Sequence, residues 1–257
     1  MGLLPTEKTK PRVDLSAFHF LLHSAPKTGK TTFASGYPDA LFVATEKGHN
    51  AISCFKVDVT TWDEFLEVGA ELAAGGHGFK TVIIDTVDNA LNLCRLHICK
   101  KYGVEHEADL NFGKGYALIL SEFSRVINKL SQLGFGLVMI SHSEVLEITT
   151  RTGTTHKIVP SIRDKARKLI LGMSDFIFYG DIQVVKEPDG TESLRRVWRT
   201  KPHPNYDAGD RTGRLPDPLP MDFTVFRQEF DKAVTGLFDE LAGKAPAKPA
   251  PTKPNGK

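Results

Sequence analysis

The sequence predicts an α/β domain: a mostly parallel sheet flanked by helices, with a late β-hairpin and a carboxy-terminal helix. Three observations carry that prediction. Short apolar runs that read as buried strands alternate with helical stretches. One such strand opens into the turn Ser24-Ala25-Pro26-Lys27-Thr28-Gly29-Lys30-Thr31, and another ends in Asp85. With 257 residues, 40% of them hydrophobic, the chain can bury one sizeable core. We expect a flexible lead-in over residues 1–15, one domain over 16–242 and a disordered Lys/Pro/Ala tail over 243–257.

The first strand is expected at about 17–23, from the run Phe18-His19-Phe20-Leu21-Leu22. The turn after it matches G-x-x-x-x-G-K-S/T at every fixed position except the first, where Ser24 stands in place of glycine. In such a loop Gly29 lets the backbone approach a polyphosphate. Successive N–H groups and the positive end of the next helix attract its charge, Lys30 reaches the outer phosphates, and Thr31 offers a hydroxyl to Mg²⁺. Residues Ser24 to Thr32 are therefore the candidate phosphate cradle, and the helix opened by Thr32 ends near Gly36-Tyr37-Pro38.

A second buried strand over 40–45 delivers Glu46 at its carboxyl end. A short third strand at 56–60 precedes Thr61-Trp62-Asp63-Glu64, a capping box opening a helix to Ala74. Lys80-Thr81-Val82-Ile83-Ile84-Asp85-Thr86 is a buried strand ending in a carboxylate. Asp85 reads either as a cap for the following helix or as a ligand to the water shell of Mg²⁺ opposite Thr31, and the upstream loop favours the metal. A helix over 87–102 and an irregular region over 103–114 come next, then a helix over 115–133. Phe112, Lys114 and Tyr116 suit a loop that stacks on bases and touches phosphates, or else simply pack the loop down.

Residues 136–142 form a further buried strand, ending in Ser141-His142; at a strand end, His142 is placed to sense a γ phosphate. A hairpin over 145–150 and 154–159 turns at Arg151-Thr152-Gly153. Arg151, Lys157 and Arg163 make this segment basic, which fits nucleic-acid contact or a solvated face. After a helix to Leu171, a strand at 175–179 precedes a hairpin over 182–186 and 194–200 across Pro188-Asp189-Gly190. The Pro/Gly-rich loop 201–220 holds Arg211 and Arg214, which can clamp phosphate, cross a subunit boundary, or bond to carboxylates in the loop. The last helix, about 222–241, carries Phe226, Phe230, Ala233, Leu237 and Leu241 on one face.

Composition narrows the function classes. Removing the tail lysines (Lys244, Lys248, Lys253, Lys257) takes the net charge from +2 to −2, so nucleic-acid contact must come from local patches or from the tail. Three cysteines without a C-x-x-C pair point to reduced thiols. Cys94, His97 and Cys99 do not share one helical face, which favours packing over metal binding. No apolar run approaches the roughly 18 residues of a membrane span, and a cytoplasmic location is expected. A guanine-specific N-K-x-D motif is missing: Asn128-Lys129 is followed by Leu130-Ser131.

Glu46 is the leading candidate for the base that polarises an attacking water, with Asp88 in reserve, because Thr86 occupies the position after Asp85. The stretch Phe42-Val43-Ala44-Thr45-Glu46 resembles the strand that carries the catalytic glutamate in RecA-type recombinases. Taken with the loop at 24–31, Ile83-Ile84-Asp85-Thr86, Phe112-Gly113-Lys114-Gly115-Tyr116, Ile140-Ser141-His142 and Gly209-Asp210-Arg211, the chain resembles the phage-encoded P-loop ATPases of the RecA-like branch, the group that includes Sak-type single-strand annealing proteins. The resemblance spans about residues 15–240. It implies a RecA-like core, ATP and Mg²⁺ as cofactors, and action on single-stranded DNA in phage recombination, with a single-strand-binding protein and a second copy of the chain as further partners. Glu46, Lys30 and His142 would be catalytic, the loop and Arg211 would hold the nucleotide, and Thr31 and Asp85 the metal. Two other expectations stay open: a nucleotide-switched loader-like protein with little turnover, and a small-molecule kinase.

Overall fold

The computed structural model describes residues 12–151 and 153–241, together with Leu4 and Thr6. The expected tail at 243–257 and much of the lead-in lie outside them. Six strands form a parallel sheet: β1 (His19–Ser24), β2 (Ala40–Ala44), β3 (Phe55–Asp58), β4 (Thr81–Asp85), β5 (Gly136–Thr150) and, after the short β6 (Gly153–Pro160), β7 (Phe176–Lys186). Their order is β3-β2-β4-β5-β1-β7. The strand bearing Asp85 is thus separated from the phosphate-loop strand by β5. Beyond β7 the sheet continues antiparallel through β8 (Glu192–Arg199) and β10 (Leu219–Pro220), while β9 (Gly209–Asp210) pairs with the start of β7.

Alternation along each strand divides the core in two. Leu21, Val43, Val82, Ile84, Leu137 and Met139 face α2 (Trp62–Ala74), α3 (Val87–Lys101), α4 (Lys114–Ser131) and α5 (Asp164–Met173). Their sequence neighbours Phe20, Leu22, Phe42, Ile83, Val138 and Ile140 face α1 (Lys30–Ala34) and α6 (Phe223–Leu241). The second layer is aromatic: Phe20 stacks on Phe176 with centroids 4.8 Å apart, and Phe226 and Phe230 of α6 close over both. The capping box at Thr61 and Glu64 is present and fixes the start of α2.

Two expected boundaries disappear. The strand at 136–142 and the first arm of the next hairpin are one strand, β5, and the strand at 175–179 and the arm at 182–186 are likewise one, β7. Both flank β1 and pair with it up to the same point, since Ser24 is opposite His142 on one side and Gly180 on the other. Past that point each runs on as an antiparallel hairpin, β5–β6 and β7–β8. The phosphate loop therefore lies between two hairpins that rise above the carboxyl edge of the sheet.

Candidate nucleotide site and adjoining groove

β1 ends in Ser24, whose side chain is fully buried. Its hydroxyl contacts the Thr28 hydroxyl and accepts a hydrogen bond from Lys30 Nζ at 3.1 Å. The Cβ that a glycine would lack is accommodated across the sheet: a Cβ built at Gly180 would lie 2.8 Å from Ser24 Cβ, so the small residue sits on the neighbouring strand. Lys27 (φ 62°) and Gly29 (φ 109°) are both left-handed, which curls the loop so that its amides can converge on an anion. The following helix, α1, has only five residues. The loop amides and Lys30, more than a helix dipole, must then supply the anion site, because Gly36-Tyr37-Pro38 cuts the helix short. Lys30 is buried and rests on Ser24 O (3.2 Å) and Ala25 O (3.1 Å). Burial lowers its pKa, opposed by the charges of Asp85, Asp88 and Glu46.

Opposite the loop, Thr31 Oγ1 donates to Asp85 Oδ2 at 2.8 Å. A hydroxyl and a buried carboxylate side by side fit Mg²⁺, which takes few protein oxygens and completes its shell with water and phosphate. His49, which sequence reasoning did not single out, is 4% exposed and brings Nε2 to 3.2 Å from the same Oδ2, as a close contact without hydrogen-bond alignment. The loop after Glu46 folds His49 back under Asp85, and its ring packs edge-on against Phe42.

Glu46 and His142, expected separately as base and sensor, come together: Nε2 of His142 lies 3.4 Å from Glu46 Oε2, at the ends of β2 and in β5. Asp88 accepts from Ser161 Oγ at 2.9 Å and from the His142 amide at 3.5 Å, both at Oδ2.

From Asp88 a cavity of about 1180 Å³ extends between α3, α4 and α5. Phe112 and Tyr116 stand at its mouth, Arg95 and Arg163 along its wall. Phe112 is fully exposed and adopts φ 57°, a left-handed conformation unfavourable for a bulky side chain. The two wall arginines are held by a residue with no sequence signal, Glu107, whose fully buried carboxylate binds Arg95 (3.2 Å) and Arg163. Burial pushes this carboxyl up, but the hydrogen bonds from Arg163 and Arg95 outweigh it and bring it down to about 2. Gly115 is needed here, since a Cβ would meet Glu107 O at 2.2 Å. Lys114 instead lies over the Tyr102 ring, 5.9 Å from its centroid.

Other candidates fall elsewhere. Arg151 is exposed at the β5–β6 turn, and Lys157 is tied to Asp207 at 2.6 Å. Arg211, expected to hold the nucleotide within the subunit or across a subunit boundary, lies away from the phosphate loop of its own subunit. It pairs with Asp175 at 3.0 Å, before the start of β7, because β9 zips onto Phe176 and Ile177 at the end of the sheet opposite the phosphate loop. The arginine that does reach the loop is Arg196, whose Nη1 donates to Thr28 O at 3.3 Å. Strand alternation from the buried Trp198 would have placed it on that face. Cys94 and Cys99 are buried in the core, where burial raises the Cys94 thiol to about 12, and His97 turns to Asp63 at 3.2 Å. Among the described residues no helix is long and apolar enough to cross a membrane.

The chain is similar to several known proteins. A prophage-derived relative, the SPbeta prophage-derived uncharacterized protein YorG of Bacillus subtilis (strain 168), is 28% identical over 128 residues, covering 48% of this chain and 40% of that protein. The chain thus matches well under half the length of this curated relative. Flagellar accessory protein FlaH from Methanocaldococcus jannaschii superposes with a TM-score of 0.41 at 8% identity, over 72% of this chain and 77% of FlaH. Residues 17–212, which contain the loop, Asp85, Glu46 and His142, match the family described as AAA domain. The chain belongs to that AAA domain family.

Proposed function

We propose that the protein is a Mg²⁺-dependent ATPase that binds single-stranded DNA and promotes annealing or strand exchange in phage recombination, in the bacterial cytoplasm. The observation that carries this reading is adjacency: the groove bearing Phe112, Tyr116 and Arg163 reaches Asp88, three residues after Asp85, and Asp88 in turn accepts from the amide of His142, the partner of Glu46. In this reading Lys30 and the loop amides hold the phosphates. Thr31 and Asp85 would hold Mg²⁺, which would supply charge stabilisation at the outer phosphates. Glu46 orients and polarises a water, and His142, in contact with Glu46, links the γ-phosphate position to the groove. The exposed rings offer stacking faces to unpaired bases, and Arg163 and Arg95 offer phosphate contacts at the wall. A single-strand-binding protein and further copies of the chain are the partners this activity would use.

The test is ATP hydrolysis by wild type and Lys30→Ala at matched Mg²⁺. The reading expects turnover in wild type and loss of both binding and turnover in the variant. Binding without turnover in wild type would replace it with the nucleotide-switched, loader-like reading.

A further inference from the structure

The strand β8 carries Arg195, Arg196 and Arg199, and their surroundings differ. Arg195 pairs with Glu187 at 2.8 Å and Arg199 with Asp181 at 3.0 Å. Arg196 projects from the opposite face, the face on which Trp198 packs against Phe33 of α1 with rings 5.1 Å apart. Among the described residues its hydrogen-bond partner is the neutral Thr28 carbonyl, and no carboxylate among them pairs with it. The position is held by register. Ser24 is opposite Gly180 on β7, and Ile182, two residues on, is opposite Arg196. The Arg196 carbonyl is further bound by the Met221 amide at 3.1 Å. At Gly29 a Cβ would stand 2.9 Å from Arg196 Nη1, so the guanidinium lies directly against the glycine of the loop.

We propose that Arg196 is a second cationic ligand of the nucleotide's phosphate chain, supplied by the same subunit and acting beside Lys30. The inference rests on the nucleotide reading above. A guanidinium lacking a counter-charge and touching the backbone of an anion-binding loop exchanges one neutral acceptor for charged phosphate oxygens, which accept stronger hydrogen bonds and match its planar fork. Lys30 rests on loop oxygens in the same way. Arg196 thus takes within the subunit the role expected of Arg211.

The test is equilibrium titration of the full chain with Mg·ATP and Mg·ADP, using wild type, Lys30→Ala, Arg195→Ala, Arg196→Ala and Arg196→Met, alongside thermal melts without nucleotide. Methionine keeps an unbranched stem to pack on Gly29 and Met221 while removing the charge, so its affinity decides even if the alanine variant unfolds. Both Arg196 variants are expected to lose about 10- to 100-fold in affinity for ATP and ADP, the methionine variant with an unchanged melt, and Arg195→Ala to match wild type. An Arg196→Met protein that binds within twofold of wild type, while Lys30→Ala does not bind, overturns the role of Arg196 and leaves the nucleotide site standing. A wild-type protein that binds neither nucleotide overturns both.

Discussion

The strands on either side of the phosphate loop, β5 and β7, both leave the parallel sheet beside Ser24 and both continue as antiparallel hairpins. They differ in where their charges go. The β5–β6 hairpin is sewn to the body: Glu144 pairs with Arg167 (3.0 Å), Lys157 with Asp207 (2.6 Å), and Ile158 exchanges backbone hydrogen bonds with Asn205 and Asp207. The β7–β8 hairpin satisfies Glu187, Arg195, Asp181 and Arg199 within itself, leaves Ile182, Val184 and Leu194 exposed, and turns Arg196 to the loop. A basic residue in a sequence is thus a poor guide to a basic surface. Lys157 counted as a candidate for DNA contact and already has a carboxylate, whereas Arg196 drew no attention and has none.

In the proposed reading chemistry lies on the β5 side and phosphate binding on the β7 side, and variants can break that division. The largest effect is expected for Glu46→Gln, which keeps the shape of the side chain and its place beside His142. Hydrolysis should fall about 10²- to 10⁴-fold with ATP affinity retained, measured by phosphate release and titration; a parallel loss of affinity would merge the two sides.

Acid tests the seam between the hairpins. His23 is fully buried on β1, with Nδ1 2.9 Å from Ser143 Oγ and Nε2 2.7 Å from Asp207 O, and burial lowers its pKa to about 4 from 6.5. The folded state therefore holds this imidazole neutral. Its contribution is fully present above pH 6.5 and is lost as pH falls towards 4, because the unfolded chain binds the proton first; the loss amounts to about 3 kcal/mol. Melting curves across that window should decline in wild type and flatten in His23→Asn.

On the β7 side, Gly180→Ala is expected to destabilise by about 1–3 kcal/mol through overpacking against Ser24 and Met221. Ser24→Gly should relieve part of that loss in the double variant, a coupling read by denaturant unfolding. If the two changes simply add, the compensation between Ser24 and Gly180 is wrong. The smallest effect belongs to the groove. Phe112→Ala should weaken single-stranded DNA binding by about 1–3 kcal/mol, seen by fluorescence anisotropy, while ATP affinity stays unchanged.

Much of this architecture was legible in the sequence because the carriers were local. Apolar runs, the capping box at Thr61 and Glu64, and the loop from Ser24 to Thr31 each declare themselves within a few residues. What escaped notice depends on partners far apart in the chain. His49 matters through Asp85, Glu107 through Arg95 and Arg163, Gly180 through Ser24, and Arg196 through Thr28. The ends of β5 and β7 were misplaced for a related reason. Their polar residues mark the edge of the sheet, where burial changes, and not the end of the strand, which continues by pairing with its own hairpin partner.

The central claim is that one edge of the sheet joins nucleotide chemistry to a groove for single-stranded DNA. The most direct measurement is the rate of ATP hydrolysis with and without single-stranded DNA at fixed Mg²⁺, in wild type and Phe112→Ala. The account predicts stimulation by DNA in wild type that Phe112→Ala diminishes while its DNA-free rate holds. A wild-type rate indifferent to DNA would contradict it.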